Sequence, residues 1–149
     1  MFSFHNTKSH DLPLGFFLEL EKSPSAQDLN RLFARCKMDT YSPKKLSFAL
    51  DKSYRNISII EEQSSQLYGY VRITTDKGLN ANLWDLVALP GKYQKEFLAI
   101  LISNSLSIIR RELPGCSISI AAEPAVLRII EKEGFVIDPD GIRVMSYRI

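Results

Sequence analysis

The 149-residue sequence lacks most of the features that announce special chemistry. It has two cysteines, Cys36 and Cys116, too few for a disulfide framework, and Cys116 sits in an apolar run where a buried reduced thiol is expected. Its two histidines, His5 and His10, have no partners at metal-ligand spacing, so no metal is expected and both are read as part of a loose lead-in. No apolar run approaches the roughly 18 to 20 residues that cross a bilayer, which excludes a membrane-spanning helix from the reading. Net charge is only +2 and no patch of Lys and Arg stands out, so nucleic acid is not an expected partner. The polar start, Met1 to Asp11, has neither an apolar signal core nor an Arg-rich transit pattern, and a cytoplasmic location is expected.

What is present is the balance of an ordinary globular domain, with 45% hydrophobic and 24% charged residues. The length suits one domain over residues 1–149, with 1–12 as the lead-in. Leu14 to Glu21 alternates as a strand does. Ser23-Pro24-Ser25 then supplies an N-cap and an early proline for a helix carrying Leu29, Leu32, Phe33 and Cys36. Ser42 and Pro43 open a second helix with Leu46, Phe48, Ala49 and Leu50. Three strands follow as a meander: Ile57 to Glu62, Leu67 to Thr75 and Ala81 to Leu89, the last stopped by Pro90-Gly91.

The longest helix places Leu98, Leu101, Ile102, Leu106, Ile109 and Leu113 on one face and ends at Pro114-Gly115. Ser117 to Ala121 reads as a strand, Pro124 opens a last helix, and Gly134 closes it. The tail, Phe135 to Ile149, reads as two strands around Asp138-Pro139-Asp140-Gly141. The order is strand, two helices, three strands, helix, strand, helix, two strands. It implies an α/β fold on a mixed sheet with helices on both faces.

This order, with Leu83-Trp84-Asp85-Leu86-Val87, Pro90 to Gln94 and Glu133-Gly134-Phe135, resembles the GNAT superfamily of N-acetyltransferases. Asn80 to Asp85 and Asp138 to Ile142 are similar to the plastid and cyanobacterial members in particular. The resemblance implies acetyl-CoA as co-substrate and an amine of a protein or small molecule as acceptor, with transfer direct and no covalent enzyme intermediate. A homodimer is left open. It implies a V-shaped opening between two central strands, where the pantetheine arm lies along Asp85 to Leu89. Leu86, Val87 and Ala88 would contact it, and the N–H of Val87 would polarise the thioester.

The family's pyrophosphate loop, Q/R-x-x-G-x-G/A, corresponds to Gln94-Lys95-Glu96-Phe97-Leu98-Ala99. Gln94 and Ala99 match. Phe97 stands where a glycine normally lets backbone approach phosphate, so its side chain is expected to obstruct, while Lys95 offsets the charge of Glu96. At the place of the family's catalytic tyrosine stands Ile130, which cannot donate a proton; Tyr93 and Tyr147 are the substitutes within reach of the expected fold. These departures keep open a non-catalytic GNAT-fold module, binding acyl-CoA weakly or acting as an interaction domain.

Asp85, an acid in mid-strand, is the candidate base, against a purely structural role in a neighbouring turn. Tyr68, Tyr70 and Arg72 share a face and either line the acceptor cleft or pack under a helix. Glu123 is read as a cap of the last helix rather than a catalyst.

Overall fold

The structure is a computed structural model that describes residues 10–137 and 139–147. Strand β1 is Phe16–Glu19, followed by helices α1 (Ala26–Arg35) and α2 (Pro43–Lys52). Each helix begins at a serine N-cap: the Oγ of Ser25 accepts from Asp28 N–H at 3.1 Å, and that of Ser42 from Lys45 N–H at 3.2 Å. Pro24 lies just outside α1, whereas Pro43 is in the first turn of α2 as expected.

Strands β2 (Arg55–Glu61), β3 (Leu67–Thr75) and β4 (Asn80–Ala88) form the meander, each antiparallel to its neighbour, with β1 antiparallel beside β2. Helix α3 (Gln94–Glu112) crosses over to β5 (Ser117–Ile120), which lies parallel to β4, so the sheet is mixed and ordered β1-β2-β3-β4-β5.

The sheet divides the core. On one face Ile57, Ile59, Val71, Ile73, Leu83 and Leu86 meet Phe97, Leu101 and Ile102 of α3 and Ile130 of helix α4 (Leu127–Lys132). On the other, Tyr70, Val87 and Leu89 meet Leu29, Leu32 and Phe33 of α1 and Leu46 and Leu50 of α2. Gly69 sets the spacing of the first layer: a Cβ there would stand 3.1 Å from Leu101 Cδ1 and 3.4 Å from Ile59 Cδ1.

A single 3₁₀ turn, Pro124–Val126, leads into α4, and Glu123 before it makes no side-chain cap hydrogen bond, contrary to its expected role. Gly134 ends α4 at φ 102°, its N–H donating to Glu131 O while Phe135 N–H reaches Ile130 O, the paired bonds of a Schellman closure.

Two expectations are corrected. His10 is tied down rather than loose, with Nε2 2.9 Å from Glu133 Oε1 at the end of α4. The tail forms no strands among the described residues. Pro139–Gly141 is a 3₁₀ turn, Asp138 lies outside the described residues, and Ile142, Val144, Met145 and Tyr147 are exposed, with no strand paired to the outer edge of β5. Alternation gives a chain two faces, but a strand also requires a partner ladder, and the tail has none there.

Candidate functional site

The parallel pairing of β4 with β5 runs from Asn80↔Ser117 to Leu83↔Ile120, with a last bond from Ala121 N–H to Leu83 O at 3.3 Å. Beyond it β4 continues to Ala88 while the other chain turns away into Pro124–Val126. The two strands therefore fork, and among the described residues the β5-side edge of β4 after Leu83 has no strand beside it. Leu89 N–H donates to Tyr68 O at 2.7 Å, and Val87 is paired with Tyr70. Since backbone groups alternate along a strand, Val87 N–H points to β3 and Ala88 N–H points into the fork. Of the two, only Ala88 N–H faces the fork where the Val87 donor is expected to act.

At the crotch β4 bulges: Tyr70 pairs with Val87 but Arg72 with Trp84, so Asp85 and Leu86 together oppose Val71. Asp85 absorbs the extra residue at φ 60°, a left-handed conformation that Asp tolerates better than most side chains. The bulge turns its carboxylate onto the α1/α2 side of the sheet. There Arg72 Nε donates to Asp85 Oδ2 at 2.8 Å, with the two side chains only 19% and 18% exposed.

Two hydrogen-bonded chains link β3 to the last turn of α2. Arg72 Nη1 reaches Ser53 Oγ at 3.5 Å, and that hydroxyl donates to Ala49 O at 2.7 Å. Tyr70 OH donates to Asn56 Oδ1, whose amide donates to Leu50 O at 3.2 Å. Tyr70 is wholly buried, and burial pushes its phenol far above the usual range, so it stays protonated and offers no surface to an acceptor. Tyr68 is half-buried against Phe16 and Phe97. Ser53 and Asn56 carried no sequence signal.

The far end of the fork meets the N-terminus of α3. Helical geometry begins at Gln94, with Tyr93 as an N-cap that makes no side-chain cap bond. Gln94 N–H donates to Gly91 O and Phe97 N–H to Tyr93 O, leaving the N–H groups of Lys95 and Glu96 without backbone partners among the described residues. Gln94 Nε2 donates to Ala88 O at 3.2 Å, closing the end of the fork. Cys36 Sγ lies 3.5 Å from the same carbonyl, and burial pushes its thiol above the ordinary value. Phe97 turns inward and is 1% exposed, its ring 4.9 Å from that of Phe16 and 5.7 Å from that of Tyr93.

No protein-family model matches the chain. An uncharacterized N-acetyltransferase, ycf52, of Porphyra purpurea is 36% identical over 106 residues, covering 70% of this chain and 60% of that protein. A chloroplastic GCN5-related N-acetyltransferase of Arabidopsis thaliana is 31% identical over 120 residues, covering 80% of this chain and 60% of that one. A solved structure from meticillin-resistant Staphylococcus aureus, of a protein of unknown function described as a probable acetyltransferase, has the same fold. It superposes with a TM-score of 0.77 at 15% identity over 89% of this chain and 100% of that one. The chain is a homologue of these N-acetyltransferases and has the GNAT fold. It spans about 60% of the length of these curated relatives.

Within the GNAT frame, the segment Gln94 to Ala99 is the first turn and a half of α3 rather than a loop. Phe97, expected to obstruct phosphate, faces the core, and Lys95 and Glu96 are the exposed residues of that turn. Leu98 is buried and Ala99 half-buried. A pyrophosphate is compatible with this end, because two unpaired N–H groups, the helix dipole and Lys92 and Lys95 outweigh one glutamate. A thioester arm is compatible with the fork, because Ala88 N–H is free to bond it.

Leu86 and Val87 are buried on opposite faces of β4. Ile130 is 2% exposed in the core, and Tyr147 is 92% exposed on the tail; the half-buried Tyr93 is the one nominated tyrosine at the helix N-terminus. Among the described residues no cluster of His, Cys, Asp and Glu could hold a metal, and no helix is long and apolar enough to cross a membrane.

Proposed function

We propose that the chain is an acetyl-CoA-dependent N-acetyltransferase acting on a primary amine. The observation that carries the reading is the fork itself: β4 parts from β5 at Leu83, and its unpaired edge runs directly to the uncapped N-terminus of α3. Acetyl-CoA would supply the acetyl group as a thioester.

The chain's own residues have four tasks. Ala88 N–H bonds the thioester carbonyl and stabilises the charge that grows on its oxygen. Lys95 and the free N–H groups of α3 hold the phosphates. Asp85 takes the proton of the attacking amine, directly or through water, as the new C–N bond forms. Tyr93 or water returns a proton to the sulfur as the C–S bond breaks. A cytoplasmic location goes with this reading; the Arabidopsis relative is named chloroplastic, and a fluorescent fusion distinguishes the two.

Acetyl-CoA at a hundred times its dissociation constant should stabilise the protein by about 2.7 kcal/mol, read as a raised thermal midpoint. Free thiol should then appear when an amine is added. A midpoint unmoved by millimolar acetyl-CoA ends the reading. A shift without thiol release from any amine favours a non-catalytic acyl-CoA-binding module.

A further inference from the structure

The contact between Arg72 and Asp85 assigns the arginine a task other than lining an acceptor cleft. Nε, the donor it uses, lies on the stem side of the guanidinium, so the bond fixes both the plane of the group and the rotamer of the carboxylate. Only Oδ2 of Asp85 is engaged. Oδ1 has no hydrogen bond among the described residues and is not buried, so it retains access to solvent. Arg72 is itself held by Ser53, which is anchored to the Ala49 carbonyl in the last turn of α2, the end of a helix that favours a cation. One oxygen of the carboxylate is thus tethered through two residues, Arg72 and Ser53, to the last turn of α2, and the other is left for chemistry.

We propose that Arg72 is a positioning residue for the transfer reaction, holding the Asp85 carboxylate at the crotch of the fork through the Arg72–Ser53–α2 chain. The proposal rests on Asp85 as the base. Its value to the reaction is geometric: Asp85 occupies a bulge, and a base displaced by about 1 Å loses on the order of a hundredfold in rate.

The test measures kcat and KM for wild type, Arg72→Ala, Arg72→Lys, Asp85→Asn and the double variant. Acetyl-CoA is the donor, and a lysine-containing peptide or a primary arylalkylamine is the acceptor, whichever the wild type uses faster. Arg72→Ala should lower kcat by about ten- to a hundredfold, with the KM for amine within about twofold and the acetyl-CoA-induced thermal shift unchanged. Arg72→Lys should recover part of the rate. The double variant should be no slower than Asp85→Asn alone, because the arginine acts through the carboxylate.

If Arg72→Ala folds poorly, Ser53→Ala provides the same reading with a smaller drop in kcat. A raised KM at unchanged kcat would make Arg72 a substrate contact and overturn the proposal, as would additive losses in the double variant. Full turnover by Asp85→Asn would instead remove Asp85 as base, and with it both the acid–base reading and the positioning role.

Discussion

Phe97, in the first turn of α3, meets Phe16 of β1 edge-on with ring centroids 4.9 Å apart. Tyr68 stands 5.0 Å from Phe16 and 6.3 Å from Phe97, so strands β1 and β3 and the helix N-terminus share one aromatic cluster. The residue that breaks the glycine pattern of the GNAT loop is therefore a core residue, and it anchors the helix end that would carry the phosphates.

Phe97→Ala should destabilise the protein by about 3 to 5 kcal/mol, the usual cost of emptying a buried aromatic site. Phe97→Gly should cost more and should not tighten acetyl-CoA binding, because no phosphate-facing bulk is removed. Denaturant midpoints and ligand-induced thermal shifts measured on the same samples check both statements.

Asp85 has a backbone role that can be separated from its chemistry. Asp85→Asn keeps a residue tolerant of φ 60° and should leave the thermal midpoint close to wild type while turnover is lost. Asp85→Val should cost about 1 to 2 kcal/mol in stability from left-handed strain alone. A valine variant as stable as the asparagine one would mean that the bulge relaxes at no cost.

The α4 closure offers a second backbone test. Gly134 has φ 102° and open space around its Cα, so a methyl group would meet no neighbour and only conformation would oppose it. Gly134→Ala should destabilise by about 1 kcal/mol in urea unfolding, without altering the unfolding slope.

The hydrogen bond from Tyr54 OH to Glu112 Oε2, 2.8 Å long, contributes to pH dependence at both extremes. That bond first, then Arg111 and Arg55, holds the Glu112 carboxyl below its ordinary 4.5. Its contribution is present above 4.5 and is lost as pH falls through the lower folded value. The same bond raises the Tyr54 phenol above its ordinary 10.0, so that contribution is present below 10.0 and lost as pH rises through the folded value. Glu112→Gln should flatten the acid limb of the thermal midpoint between pH 5 and 3, and Tyr54→Phe should flatten both limbs. Unchanged slopes in both variants would remove the bond from the account.

The element order up to α4 was legible because each signal is local: serine caps one turn before apolar periodicity, strand alternation, glycine one residue past the last helical turn. What was not legible depends on distant partners. The tail suggests strands, yet among the described residues no ladder along β5 receives it. Alternation also puts Trp84 and Asp85 on opposite faces, and only the bulge, set by pairing with β3, brings Asp85 round to Arg72. Phe97 was aligned with a loop glycine, but with the helix starting at Gln94 it falls on the same inward face as Leu101.

The fork also divides one strand into two regimes of motion. Ala81 to Leu83 lie between ladders on both sides, while from Trp84 to Ala88 the strand is laced only to β3. Amide exchange should therefore be slow at Leu83, between two ladders, and much faster at Ala88, five residues along the same strand, because its N–H points into the fork without a ladder partner. A ligand seated in the fork would be seen first as a slowing of that single amide, before any change in the shape of the protein.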